Sequence, residues 1–248
     1  MGYETETRVS SNVDDGVCTI TICRPESRNA LTKSMYRAIR EACTQAGADP
    51  AVQVIVIEGS HGSFASGGDL KEILDVLESD DPHAILNYEE FLPFDAVRVV
   101  PKPTIAKIDG LCIGGGLTLA MMCDIVVASD NSRFAIPEAK VGIIDGHMPR
   151  LLREQVPPAR LRYWMYTGAI FSAEEAREEG LVTKVVPAEE LDAAVAKIAN
   201  DLKKSSLDAI QGLKRIFNEV RPLSEMTDAY LAMLKPEVLD RLRQFKAR

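Results

Sequence analysis

Three consecutive glycines in the run Gly110-Leu-Cys-Ile-Gly-Gly-Gly-Leu-Thr-Leu-Ala-Met-Met-Cys-Asp124 constrain the fold more than any other feature of this chain. They follow a short apolar stretch and open a helical pattern. Without a Cβ, a backbone can approach a ligand or a neighbouring strand closely. The first amides of a helix have no intrahelical acceptor and sit at the positive end of its dipole. An oxygen that gains negative charge during a reaction is stabilised there. A second glycine-backed element lies upstream, at Phe64-Ala-Ser-Gly-Gly-Asp-Leu70. Two such loops can aim two amides at one oxyanion.

Around these loops, short β-branched runs alternate with helical spacing. Residues 16–23 alternate apolar and polar and predict a strand. Residues 31–46 have helical spacing, with Thr32 as a cap, and 52–58 form a continuous apolar run suited to a buried strand. A helix is expected over 70–77, a break at 80–82, and a longer helix from 83 to 99, stopped by Pro101 and Pro103. Strands are expected at 104–108 and 124–128 on either side of the glycine turn and its helix. This alternation implies right-handed crossovers and a mostly parallel sheet. From Ala188 onward only helical periodicity remains, over 188–204, 207–220, 223–234 and 236–246. Pattern alone therefore predicts an α/β core over 1–187 followed by a helical region over 188–248.

Composition narrows the function classes. The net charge of −8 argues against a nucleic-acid partner, which calls for a basic face. No apolar run approaches the roughly 18 residues of a membrane span, and the acidic start of the chain does not read as a signal peptide. The five cysteines, at 18, 23, 43, 112 and 123, are scattered and lack metal-ligand spacing. No metal is expected, and a reducing cytoplasm is the expected compartment.

Five segments in order resemble the crotonase (enoyl-CoA hydratase/isomerase) superfamily. They are Arg24-Pro-Glu-Ser-Arg-Asn-Ala-Leu31, His61-Gly-Ser-Phe-Ala-Ser-Gly-Gly-Asp-Leu70, the triple-glycine run, Phe134-Ala-Ile-Pro-Glu-Ala-Lys-Val-Gly142, and Thr167-Gly-Ala-Ile-Phe-Ser-Ala-Glu-Glu-Ala176 with Gly180-Leu-Val-Thr-Lys-Val-Val186. The resemblance implies a ββα spiral core and a helical C-terminal region that builds a homotrimer or a dimer of trimers. It implies an acyl-CoA thioester substrate, with coenzyme A as part of that substrate and no separate cofactor. It assigns the oxyanion hole to the amides of Ser66 and Gly115, and proton transfer at the α-carbon to Glu138. Ala65, Ser66, Gly67, Gly68, Asp69, Leu70 and Gly115 would cradle the coenzyme A moiety. Arg24 and Arg28 would meet its phosphates, as would Lys235 and Arg243.

Two departures from the family pattern bear on the reaction. Thr118 stands where hydratases of the family carry a second glutamate. A threonine can position a water but cannot take its proton near neutral pH, so a single-glutamate, isomerase-like site at Glu138 is expected. The segment Gly142-Ile-Ile-Asp-Gly-His-Met-Pro-Arg-Leu151 is about two residues shorter than the family pattern. It places Asp145 close to where dienoyl isomerases and aryl-CoA dehalogenases of the superfamily keep a catalytic aspartate, with His147 in the same loop. The alternatives are a hydratase working through Thr118 and a loop acid, a decarboxylase or thioester hydrolase using Asp145 or His147, and a catalytically weak acyl-CoA binder. Residues 75–100, with Leu77, Tyr88, Phe91, Leu92 and Phe94, are expected to wall the acyl pocket.

Overall fold

The computed structural model describes residues 8–218, 234 and 236–246. Strands β1 (Val9–Asp14) and β2 (Val17–Ile22) form an antiparallel hairpin across Asp15 and Gly16, both at positive φ. The chain then winds in turns of similar make-up. After helix α1 (Lys33–Ala48), a strand β3 (Val54–Gly59) leads into a short strand β4 (Ser63–Ala65) and helix α2 (Leu70–Leu77). Helix α3 (Phe94–Val99) precedes the next turn, built of β5 (Thr104–Ile108), β6 (Leu111–Ile113) and α4 (Gly115–Met121). A third turn has β7 (Ile125–Ser129), β8 (Arg133–Ala135) and a 3₁₀ turn over Glu138–Val141. Helices α5 (Met148–Leu152) and α6 (Pro158–Thr167), strand β9 (Phe171–Ser172), helix α7 (Ala173–Glu178) and strand β10 (Lys184–Val186) follow. The remaining helices are α8 (Leu191–Lys203), α9 (Leu207–Phe217) and α10 (Pro236–Lys246).

The long strands make one sheet in the order β1-β2-β3-β5-β7-β10, parallel except for β1. The short ones make a second sheet, β4-β6-β8-β9. Each turn of the spiral thus places one strand in each sheet. The continuous apolar run of β3 is explained by burial on both faces. Ile55 and Ile57 join the main core with Ile20, Ile22, Ala106 and Ile108, while Val54 and Val56 pack beneath Leu191, Ala194 and Val195 of α8. A further apolar cluster joins α2 (Ile73, Leu74, Leu77) and Ile85 to Val238 and Leu242 of α10. Helix α9 is pinned by the buried Lys214, whose Nζ donates to the Lys102 carbonyl at 3.0 Å and to Asp124 Oδ2 at 2.8 Å. Among the described residues no helix is long and apolar enough to cross a membrane.

The structure differs from the sequence reading in three places. The helix expected over 83–99 is broken into 3₁₀ turns over Pro82–Glu90 and the short α3, because Pro93 has no amide hydrogen to continue a helix. The second sheet was not anticipated, since strands of two or three residues are too short to show a period. The strand expected at 124–128 lies one residue later. The helix expected over 223–234 falls outside the described residues, apart from 234.

Candidate active site

The site forms where two glycine turns and one loop converge. Gly114, at φ 55° and ψ −127°, turns the chain from β6 into α4 and donates its amide to the Ala135 carbonyl at 3.0 Å. Gly116 lets α4 lie flush on β4, since a Cβ there would stand 2.6 Å from the Ala65 carbonyl oxygen. Gly115, as the first residue of α4, has an amide with no intrahelical acceptor.

The facing arm is threaded against residues 28–31. The Gly67 carbonyl accepts from Leu31 N at 2.8 Å, and Asp69 N donates to the Leu31 carbonyl at 2.9 Å. Ser66 is more deeply committed: its amide donates to the Arg28 carbonyl at 3.1 Å and its hydroxyl to the Ser27 carbonyl at 3.1 Å. The expectation that Ser66 N–H faces an oxyanion therefore does not fit this geometry. The amides of Gly67 and Gly68 have no acceptor among the described residues. Gly68 N lies 3.6 Å from the point a Cβ on Gly115 would occupy. The open amides that meet across the site are those of Gly68 and Gly115. The motif shows a Gly-Gly pair, but only the pairing with residues 28–31 shows that the Ser66 amide is taken and those of Gly67 and Gly68 are not.

Glu138 opens the 3₁₀ turn after Pro137 and reaches over the glycine turn. A Cβ added to Gly114 would stand 2.6 Å from Glu138 Oε1. Glu138 Oε2 is sealed from solvent and has no hydrogen-bond partner. Burial pushes the Glu138 pKa up from 4.5 to about 8, and the nearby Asp145 charge pushes the same way. Asp145 Oδ1 accepts the amides of His147 (2.8 Å) and Met148 (3.0 Å) at the start of α5, leaving Oδ2 buried without a partner. Burial raises its pKa although those two amides oppose the shift. A second carboxyl group thus stands beside Glu138; it is Asp145, which the sequence offers as a loop acid alongside the single-glutamate reading.

The other candidate residues are placed as follows. Thr118 is buried, and its hydroxyl donates back to the Gly114 carbonyl at 3.3 Å. His147 is buried with an unpartnered Nε2, and its ring edge meets Phe94 at 4.9 Å. Burial lowers its pKa to about 4, so the imidazole is neutral at pH 7. Arg24 Nη1 donates to Asp69 Oδ2 at 2.5 Å and to the Ala30 carbonyl at 3.0 Å, so the fold itself engages this guanidinium. Asp69 also caps α2 through Lys71 N and Glu72 N. Burial raises the Asp69 pKa, but Arg24 and those amides bring it below the usual carboxylate value. Arg28 sits at φ 49° and offers its carbonyl to Ser63 and Ser66. Arg243 pairs with Glu78 at 2.6 Å, and Lys235 lies outside the described residues. Ala65 lies in β4, and Leu70 opens α2.

Of the expected acyl-pocket residues, Leu77 belongs to the α2–α10 cluster and Leu92 packs against both that cluster and the main core. Phe94 is buried in the main core, whereas Phe91 lies under the cationic ends of Lys33 (4.3 Å) and Arg37 (4.6 Å). The side chain of Tyr88 is outside the description. Sequence reading missed Tyr36, whose hydroxyl reaches the glycine arms from the buried face of α1. The available signal was a phenol on an otherwise apolar face, since a buried tyrosine hydroxyl needs a polar destination.

A two-sheet spiral with paired glycine amides over a buried carboxyl defines a protein of the crotonase superfamily. Residues 12–235 match the sequence profile described as Enoyl-CoA hydratase/isomerase. A crotonyl-CoA hydratase of Syntrophomonas wolfei is 34% identical over 227 residues, covering 88% of this chain and 83% of that protein. The mouse mitochondrial enoyl-CoA hydratase domain-containing protein 3 is 33% identical over 232 residues, covering 93% and 77%. The crystal structure of an enoyl-CoA hydratase from Mycobacterium avium subsp. paratuberculosis superposes with a TM-score of 0.81 at 28% identity, covering 98% of this chain and 96% of that one. The chain belongs to the enoyl-CoA hydratase/isomerase family, and it is an enzyme of hydratase/isomerase type.

Proposed function

We propose that this enzyme moves a proton on an enoyl-CoA thioester, shifting a double bond from C3 to C2 through an enolate. The observation that carries this reading is the Glu138 carboxyl held over Gly114 beside the open amides of Gly68 and Gly115. The thioester oxygen would sit between those amides, where each preorganised donor is worth about 3–4 kcal/mol in the transition state. A carboxylate removes the C2 proton to give the dienolate, and the proton returns at C4. Glu138 and Asp145 together favour holding one proton near neutrality, because two adjacent buried carboxylates resist double ionisation. Glu138 holds that proton near neutrality and becomes the base as it ionises toward about pH 8. Thr118 cannot replace either, since its hydroxyl is turned back onto its own helix.

Incubation with a 3-enoyl-CoA and, separately, with crotonyl-CoA tests this. Isomerisation is expected to dominate. Its kcat/KM should climb as pH rises toward about 8, because the base must be ionised and Glu138 titrates there. Fast hydration of crotonyl-CoA would instead favour a second reading, in which Asp145 takes the proton of an attacking water. That reading is supported by the unpartnered Asp145 Oδ2 and by the hydratase names of the relatives. Tight binding of both esters with no turnover would sink both.

We also propose that the chain self-associates, as a trimer or a dimer of trimers. Leu213, Ile216 and Phe217 of α9 and the adjacent Val99 leave an apolar face in water, with Phe217 82% exposed. Such a face is costly unless covered. Phe217→Glu is expected to lower the particle mass seen by light scattering, and an unchanged mass would exclude this face. A reducing compartment suits the five free thiols, four of them buried.

A further inference from the structure

Tyr36 sits where the two glycine arms meet. It is buried on α1, and its ring makes an edge contact with Phe94 (centroids 6.0 Å apart, planes at 78°), which is braced in turn by His147. This column carries the hydroxyl to the backbone of both arms. Tyr36 Oη lies 2.3 Å from the point a Cβ on Gly115 would occupy, and 3.7 Å from that of Gly68. Glycine at 115 is thus required by the phenol as well as by the helix start. A hydroxyl hydrogen rotates about its C–O bond, and the oxygen can accept one hydrogen bond while donating another.

We propose that Tyr36 Oη is a third donor to the thioester oxygen, alongside the amides of Gly68 and Gly115. This rests on the enolate chemistry proposed above and adds to it a catalytic side chain. The phenol keeps its proton throughout. Its hydrogen bond strengthens as the oxygen gains charge and relaxes when the carbonyl reforms, so it favours the transition state over the bound substrate.

Tyr36→Phe in the full chain tests the assignment, because the ring and its contact with Phe94 are kept. The expected result is a loss of about a hundredfold in kcat with KM and Tm close to wild type. The carbonyl stretch of bound, isotope-labelled crotonyl-CoA is expected to move to higher frequency, which a purely structural role would not produce. Unchanged kcat and carbonyl stretch would overturn the proposal. So would a fall in Tm or KM with the stretch unmoved, which marks a packing wedge or an occupant of the hole. Should the phenylalanine variant not fold, a ring-fluorinated tyrosine at 36 is a stronger donor of nearly the same shape. It is expected to shift the stretch to lower frequency, and no shift would overturn the proposal. Glu138→Gln separates the two levels. An inactive Glu138 variant beside a fully active Tyr36→Phe variant removes only the tyrosine, whereas an active Glu138 variant removes the enolate reading itself.

Discussion

Glu138→Gln is expected to lower kcat by about a thousandfold or more while acyl-CoA affinity stays near wild type. The amide keeps the shape of the carboxyl group but cannot take a proton. The same change is expected to stabilise the fold at alkaline pH. The folded-state pKa of Glu138 is about 8, against 4.5 for an ordinary glutamate. Between those values the unfolded chain has already released the proton that the folded chain retains. The stability contributed by neutral Glu138 is therefore fully present below about 4.5 and drains away as pH rises through about 8. Glutamine has no proton to lose, so the variant should melt above the wild type at pH 8 and close to it at pH 4. Turnover together with thermal melts at both pH values checks this. Residual activity within tenfold of wild type would remove Glu138 from the proton transfer.

The largest expected loss of stability comes from Gly110→Ala. Gly110 links β5 of one sheet to β6 of the other at φ +76°, and its carbonyl accepts from Arg133 N at 3.0 Å. A Cβ there would stand 1.9 Å from the Gly62 carbonyl oxygen and 2.6 Å from its carbon. Both atoms are backbone, so the collision cannot be relieved by turning a side chain. Strained φ and overpacking each cost about 1–3 kcal/mol, and together about 3 kcal/mol or more. That is a large share of a typical stability of about 5–15 kcal/mol. Urea unfolding should show a clearly lower midpoint or no soluble protein. Gly180→Ala is the control: φ is +79°, but nothing lies within 4 Å of the new methyl, so only the backbone strain is felt. Equal midpoints for the two variants would show that the Gly62 loop yields.

Much of the fold was legible because its signals are local. Thr32 precedes a helical pattern and in the structure accepts from Met35 N at 3.3 Å. The run at 52–58 reads as a buried strand because both of its faces are covered. The second sheet left no trace, since its strands owe their conformation to neighbours rather than to their own pattern. Residues 83–99 misled for the opposite reason: helical spacing was present, but Pro93 interrupted it.

At the site, the chain alone determined where backbone can come close to backbone and where a carboxyl group follows a proline. Glycine's missing Cβ is a property of single residues, so Gly67, Gly68, Gly114 and Gly115 could be singled out without coordinates, whereas Glu138 was singled out by the resemblance to the crotonase superfamily. Tertiary structure decided which donors remain open, because a hydrogen bond to Arg28 takes the amide of Ser66 and leaves that of Gly68. It also decided that Asp145 stands near Glu138 and that Tyr36 reaches Gly115. Such outcomes depend on partners distant in the chain, and the spacing of residues in sequence does not encode which of them will meet.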